Sequence, residues 1–165
     1  MAYFLSVLRA LNDAGVDYVI VGGVATVLHG HLRFTANVNL IIRMDRDNVL
    51  LTLEALKLRG LVPRQPVDPQ DFADPVRRRA WVTQQGMMVF SFFDPTNAAT
   101  GVDLFADDTR DFAGLYARSD IKQLGDTPVR VCALDDLIAM KSLTGRSIDE
   151  QDVEALTLIQ QHGSE

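Results

Sequence analysis

Residues 18–42, which read YVIVGGVATVLHGHLRFTANVNLII, decide how this chain folds. Tyr18–Val21 is a short apolar and β-branched run, which predicts a buried strand, and Gly22-Gly23 breaks it. A short helix is predicted next, and a second strand is predicted over Asn37–Ile42. The segment therefore folds as strand, glycine turn, helix and strand.

Two short polar residues, Asn37 and Asn39, lie two apart on the second predicted strand. Residues i and i+2 of a strand point to the same face, so their side-chain oxygens are expected side by side. Such a pair can hold a metal beside a phosphate cradled by the glycine turn. Metal chemistry favours carboxylates, however, and both residues are neutral amides. Taken alone, the amide pair is more typical of a polar surface and the glycine pair of a tight turn.

The composition is that of an ordinary globular protein, with 47% apolar and 23% charged residues. Its length predicts a single domain over residues 1–165 with one core. A net charge of −6 argues against a sequence-independent grip on nucleic acid. The chain lacks a long apolar run and a signal-peptide pattern, so we expect no membrane span and a cytoplasmic location. The single cysteine, Cys132, is predicted to be a buried thiol.

The rest of the chain predicts helices around a small mixed sheet, an α+β or α/β class with helices at the C-terminus. Helices are predicted over 3–14, 25–29, 45–59, 110–117, from 134 onward, and from a Ser147–Glu150 capping box onward. Further strands are predicted over 101–105 and in two hairpins, 81–83 with 87–93 and 121–124 with 128–132. Residues 61–80 are rich in proline, which predicts an irregular segment on the surface. Two short charged segments, 77–79 and 107–108, are predicted to be solvated turns.

Two charged residues are unusual for their surroundings. Asp103 lies between Val102 and Leu104 in a predicted strand, where an unpaired carboxylate is costly to bury, although an arginine partner would also explain it. Lys141 lies on the apolar side of its helix. The alternative to a functional role is a side chain whose aliphatic part covers this surface while its ammonium extends into water.

Two patterns together resemble the nucleotidyltransferase superfamily of the DNA polymerase β type. The first is GGxAxxxHGxxRxTxxxxL over residues 22–40. The second runs from Leu137 through Lys141 and Gly145-Arg146 to Asp149 and Asp152. They are most similar to the minimal bacterial branch that includes AbiEii-like toxins of abortive-infection systems. The resemblance covers most of the chain, with residues 61–80 matching least.

The resemblance implies transfer of a nucleotidyl group from a nucleoside triphosphate to an acceptor hydroxyl, with release of pyrophosphate. In this family three carboxylates hold two Mg²⁺ ions. The catalytic and metal-ligating positions carried over are Asn37, Asn39 and Asp103. The nucleotide-binding positions carried over are Gly22, Gly23, Arg33, Thr35 and Lys141. The implied partners are the triphosphate, a tRNA, protein or small-molecule acceptor, and a cognate antitoxin.

The sequence departs from this family at the first two carboxylates, where it has Asn37 and Asn39. Each charge lost beside a metal costs on the order of 4 kcal/mol at about 4 Å and an effective dielectric near 20. We therefore expect this chain to be inactive or severely impaired, with its fold and triphosphate pocket preserved. A degenerate homologue and a deliberate inactivation both remain open. So do a non-catalytic nucleotide- or partner-binding module and an interaction protein with a vestigial cleft.

Overall fold

The computed structural model describes residues 2–163. Within this range, seven α-helices flank one mixed sheet of seven strands, which confirms the predicted fold class. The helices are α1 (Ala2–Asp13), α2 (Gly22–Leu28), α3 (Arg46–Leu58), α4 (Pro75–Gln85), α5 (Phe112–Arg118), α6 (Leu134–Ser142) and α7 (Ser147–His162). The strands are β1 (Tyr18–Val21), β2 (Asn37–Ile42), β3 (Val62–Pro63), β4 (Val89–Asp94), β5 (Asn97–Phe105), β6 (Asp120–Leu124) and β7 (Thr127–Val131).

The sheet runs in the order β3-β4-β5-β2-β1-β7-β6, so the segment that decides the fold lies at its centre. Strand β2 pairs antiparallel with β1 and parallel with β5. The β2–β5 register places Asn39 opposite Asp103. Strand β4 pairs antiparallel with β5 and places Ser91 opposite Asp103 from the other side. Three neighbouring strands therefore bring polar residues to one row of the sheet.

Alternation along β2 separates its two faces as predicted. Val38, Leu40 and Ile42 are fully buried, whereas Asn37 and Asn39 are only partly covered. All four residues of β1 are buried, as expected for a strand covered on both sides. The core is thus built around β1 and β2, and the amide pair is held on a rigid central strand.

The hairpin predicted between 81–83 and 87–93 is wrong in its first half, because residues 75–85 form helix α4. The Asp74 carboxylate caps this helix by accepting hydrogen bonds from two backbone N–H groups. Gly86, in a left-handed conformation with φ of 63°, ends it. Strand β4 pairs with β5 instead. Proline after a capping aspartate and a glycine stop were the signals that favoured a helix.

The predicted surface excursion over 61–80 is also wrong in its second half. A 3-10 helix (Pro69–Ala73) buries Phe72, and α4 buries Arg78. Arg78 donates to the Phe72 carbonyl at 2.6 Å and lies 3.5 Å from the Asp108 carboxylate. The turns predicted at 77–79 and 107–108 are therefore not simply solvated, since they contribute the two partners of this pair.

The predicted capping box at the start of α7 does not form. The helix begins at Ser147 itself, and its N-cap position makes no side-chain capping hydrogen bond. The Asp149 carboxylate instead accepts from Lys141, Thr144 and Arg146. Tertiary charge pairing at this helix start replaces the local cap.

Other predictions hold. Residues 120–131 form the expected hairpin of β6 and β7. Cys132 is fully buried, and burial raises the pKa of its thiol to about 12. Among residues 2–163, every helix is too short or too polar to span a bilayer.

Candidate active site

Asp103 is the centre of a polar cluster on the row shared by β2, β5 and β4. Asn37 Nδ2 and Asn39 Nδ2 donate to Asp103 Oδ2 at 3.0 and 3.2 Å. Ser91 Oγ donates to Asp103 Oδ1 at 2.6 Å. The carboxylate is 9% exposed, so three donors compensate for its removal from water. The expected juxtaposition of both asparagines with Asp103 is observed, and within residues 2–163 no arginine pairs with this carboxylate.

Ser91 was missed by sequence reasoning. Its position follows from the β4–β5 register, in which it lies directly opposite Asp103. The signal was a lone serine in the aromatic run of β4, two residues from Phe93. Correct pairing of this strand with β5 was needed to interpret it.

Gly22 brings the first turn of α2 against the amide pair. A Cβ atom on Gly22 would lie 2.7 Å from Asn39 Oδ1, closer than such contacts occur. Its φ of 69° is also in the left-handed region that favours glycine. Both constraints require glycine here, and they place the diglycine segment next to Asn39 and Asp103.

Gly23 makes a second close approach, to the segment between α2 and β2. A Cβ atom on Gly23 would lie 2.7 Å from Thr35 Oγ1 and 3.6 Å from an Arg33 guanidinium nitrogen. The Thr35 hydroxyl donates to the Asn37 carbonyl at 3.0 Å. Arg33 and Thr35 therefore lie beside the diglycine segment, and their assignment as nucleotide-binding positions stays a prediction.

Lys141 does not extend its ammonium into water, so that alternative is wrong. Its Nζ lies 2.8 Å from Asp149 and 2.7 Å from Asp152, and the side chain is 6% exposed. Arg33 forms an ion pair with Asp152. Arg146 Nε donates to Asp149 at 2.6 Å. This ion-pair cluster links the α2–β2 segment to α6 and α7.

The charge state of Asp149 follows from its surroundings. Burial raises its pKa, but hydrogen bonds from Lys141, Thr144 and Arg146 outweigh that effect and lower the pKa to about 2. The carboxylate is therefore ionised at neutral pH. Asp149 and Asp152 were part of the second sequence pattern, yet the pattern alone did not show that they enclose Lys141.

A cavity of about 230 Å³ opens between the diglycine segment and the α6–α7 pair. Apolar side chains from β1, β5 and α6 form one part of its wall. The polar part is contributed by Arg110, Lys141, Thr144, Arg146 and Asp149, with Gly22 at the edge nearest Asn39. The cavity thus combines an apolar surface with a basic rim beside the Asp103 cluster.

His29 and His31 each make a structural contact. His29 Nε2 donates to the Cys132 carbonyl at 2.8 Å, and burial lowers the pKa of its imidazole. His29 therefore packs at the C-terminal end of α2. His31 Nε2 lies 3.6 Å from Asp152 and adds a second neighbour to that carboxylate.

The donor set does not fit a site for two Mg²⁺ ions. Asp103 is the one carboxylate in its cluster, and both its oxygens already accept hydrogen bonds. The two amides present N–H groups to it, and those groups repel a cation. In the described range, no group of three or more His, Cys, Asp or Glu side chains could hold a metal ion.

The fold of this chain is similar to that of several solved structures. A crystal structure of ANT(2'')-Ia in complex with adenylyl-2''-tobramycin matches with a TM-score of 0.60 at 11% identity, covering 98% of this chain and 94% of that one. The lincosamide antibiotic adenylyltransferase LnuA, lincomycin-bound, matches with a TM-score of 0.63 at 12% identity, covering 94% and 95%. The chain has a nucleotidyltransferase fold. No protein-family model matches it, and no curated protein matches it in sequence.

A third solved structure is similar in fold. The antigenic nucleotidyltransferase-like protein from Paracoccidioides brasiliensis has a TM-score of 0.57 at 17% identity, covering 93% of this chain and 73% of that one. At these identities the likeness concerns the fold alone. The narrower resemblance to AbiEii-like toxins stays a prediction.

Proposed function

We propose that this chain is a member of a nucleotidyl-transfer lineage whose own transfer activity is severely impaired by Asn37 and Asn39. The observation that carries the proposal is the meeting of both amides with Asp103, directly beside Gly22. The three side chains have the placement that a carboxylate triad would need. Only one of them carries the negative charge that metal-assisted transfer requires.

The diglycine segment and the basic-rimmed cavity would bind the nucleotide. Gly22 and Gly23 lack side chains where the backbone must approach a ligand closely, and Arg33 and Thr35 lie beside Gly23. Lys141 would act through the ion-pair cluster, because its ammonium is already held by two carboxylates. Its role would be to position α6 and α7 around the cavity and to offset the charges of Asp149 and Asp152.

The acceptor we propose is a hydroxyl group of a small molecule. ANT(2'')-Ia is seen with adenylyl-2''-tobramycin and LnuA with lincomycin, so this fold accommodates such compounds. A tRNA or protein acceptor and a cognate antitoxin remain predictions from the sequence resemblance.

The test is product formation by the Asn37→Asp/Asn39→Asp variant. The variant is incubated with Mg²⁺, the four ribonucleoside triphosphates and separate panels of hydroxylated small molecules, tRNA and proteins, and products are identified by mass spectrometry. We expect nucleotidylated products from the small-molecule panel. The matched control adds Asp103→Asn to the same variant and should abolish them.

Two outcomes would contradict the proposal. No product from any panel would contradict the lineage. Product from the tRNA or protein panel alone would contradict the small-molecule acceptor while leaving the lineage intact.

A further inference from the structure

The cleft carries no excess of negative charge, which is unusual for a site that resembles a carboxylate triad. Its charged side chains are those of the Asp103 cluster, the ion-pair cluster and the cavity rim. The cations are Arg33, Arg110, Lys141 and Arg146, and the carboxylates are Asp103, Asp149 and Asp152. With aspartates at 37 and 39, carboxylates would outnumber cations. The two amides therefore remove that excess of negative charge.

Arg110 differs from the other three cations because it has no carboxylate within ion-pair distance in residues 2–163. Lys141, Arg33 and Arg146 are each paired with Asp149 or Asp152. The Arg110 guanidinium instead lies over the Phe105 ring, 5.0 Å from its centroid, at the rim of the cavity. It is the rim cation whose charge remains available to a ligand.

One further carboxylate acts on Arg110 from its own segment. Asp107 is near enough for the positive charge of Arg110 to contribute to lowering its pKa, but hydrogen bonds from Thr109 are the larger cause. Asp107 therefore already has its own partners. When Asp107 is counted, the cations and carboxylates of the cleft are equal in number. The same cleft with aspartates at 37 and 39 would carry two more negative charges.

A site lined by carboxylates repels a triphosphate unless a divalent metal lies between the two sets of negative charges. Here two of those carboxylates are absent, and the remaining one is enclosed by three hydrogen-bond donors. Guanidinium groups bind phosphate oxygens directly through charge-assisted hydrogen bonds. The cleft therefore offers an anion the Arg110 guanidinium rather than a set of metal ligands.

We propose that this cleft binds a nucleoside triphosphate without a divalent metal, with Arg110 contacting its phosphates. The proposal rests on the nucleotide cleft of the proposed function, but it does not depend on transfer activity. On this proposal, the chain with Asn37 and Asn39 binds the metal-free triphosphate even where transfer activity is lost.

The first measurement is the Kd of the unmodified chain for ATP, GTP, CTP and UTP by calorimetry, in EDTA and in saturating Mg²⁺. We expect the tightest-binding nucleotide to have a Kd in EDTA equal to or lower than its Kd in Mg²⁺. The Asn37→Asp/Asn39→Asp variant should show the opposite order, because its carboxylates repel the metal-free anion.

The second measurement compares two arginines that stack on phenylalanine at different places. Arg110→Ala should raise the Kd in EDTA by about tenfold, and Arg110→Lys should recover part of that loss because it keeps the charge. Arg64→Ala is the matched control, since Arg64 lies 4.5 Å from the Phe93 ring centroid, away from the cavity. Urea unfolding of each variant confirms that it is folded.

The outcomes separate the two proposals. Binding that is weaker in EDTA than in Mg²⁺ overturns metal-free binding and leaves the transfer lineage standing. Equal effects of Arg110→Ala and Arg64→Ala overturn the role of Arg110. No binding of any of the four nucleotides in either buffer overturns this inference, whereas the transfer lineage is tested by the products of the aspartate variant.

Discussion

At the scale of single residues, the amide pair stabilises the buried Asp103 carboxylate, whereas a pair of carboxylates would destabilise it. Asn37 and Asn39 each donate a hydrogen bond to Asp103, so the buried carboxylate is supported by neutral neighbours. Aspartates at the same positions would place three negative charges within hydrogen-bond distance of one another. Asparagines at positions 37 and 39 should therefore make the folded chain more stable than aspartates would.

The Asn37→Asp/Asn39→Asp variant should accordingly be less stable than the unmodified chain in EDTA at pH 7. We expect a loss of about 2–4 kcal/mol in the free energy of unfolding, from like charges in a partly buried site. Urea denaturation measures it. Gln84→Glu/Gln85→Glu adds the same two charges at exposed positions and should change stability by less than about 0.5 kcal/mol. Equal effects in the two double variants would contradict this account of the cluster.

Gly22 provides a second test at the residue scale. Gly22→Ala introduces a Cβ atom 2.7 Å from Asn39 Oδ1 and strains a φ of 69°. Gly60→Ala is a matched control, because Gly60 has a φ of 77° and nothing within 4 Å of a Cβ atom. We expect a cost of about 1 kcal/mol for Gly60→Ala and about 2–3 kcal/mol for Gly22→Ala.

Thermal or urea unfolding distinguishes the two costs. Similar values for both variants would mean that Asn39 moves aside freely. That result would contradict the close packing of the diglycine segment against the Asp103 cluster.

At the scale of elements, α6 and α7 are joined through charges rather than through apolar contacts alone. Lys141 on α6 is enclosed by Asp149 and Asp152 on α7, and Arg33 extends the cluster to the segment before β2. Buried pairs of this kind are costly to break from one side. The cluster therefore fixes how the C-terminal helices close over the cavity.

Acid should weaken this junction in a defined pH range. The pKa of Asp149 is about 2 in the folded chain, below its ordinary value of 3.8. Its contribution is therefore complete above about pH 4 and is lost as the pH falls through about 2, amounting to about 2 kcal/mol. The stability difference between the unmodified chain and Asp149→Asn, measured by urea unfolding, should shrink over that range.

Asp13→Asn is the control for this pH dependence. Asp13 is exposed, and its carboxylate makes no hydrogen bond or ion pair within residues 2–163. Its variant removes a carboxylate without removing a contact of the ion-pair cluster. A difference for Asp149→Asn that stays constant from pH 4 to pH 2 would contradict the assigned charge of Asp149.

The elements also show how far sequence reasoning extends. Alternation on β2 and its glycine boundary predicted the central strands, because a buried strand leaves a strong local pattern. Helix α4 was missed because one of its buried residues is Arg78 and many of its other residues are polar, so its sequence shows no apolar face. Sequence patterns also missed the absence of a capping box at Ser147 and the enclosure of Lys141. Both depend on contacts between helices, which no local pattern encodes.

At the scale of the whole molecule, strand order creates the site. Residues 37 and 39 lie on β2, residue 91 on β4 and residue 103 on β5, and the β4-β5-β2 order brings them together. The sequence pattern identified three of these positions through resemblance. Their geometry depended on a parallel β2–β5 pairing that composition and periodicity do not specify.

The central claim is that two amides separate this chain from an active nucleotidyltransferase. The most direct measurement is the rate of pyrophosphate release in Mg²⁺ by the unmodified chain and by Asn37→Asp/Asn39→Asp, with nucleoside triphosphates and the acceptor panels. We predict that the aspartate variant is faster by at least about 10³-fold, which corresponds to recovery of about 4 kcal/mol of transition-state stabilisation. Equal rates in the two chains, whether both are active or both inactive, would contradict the claim.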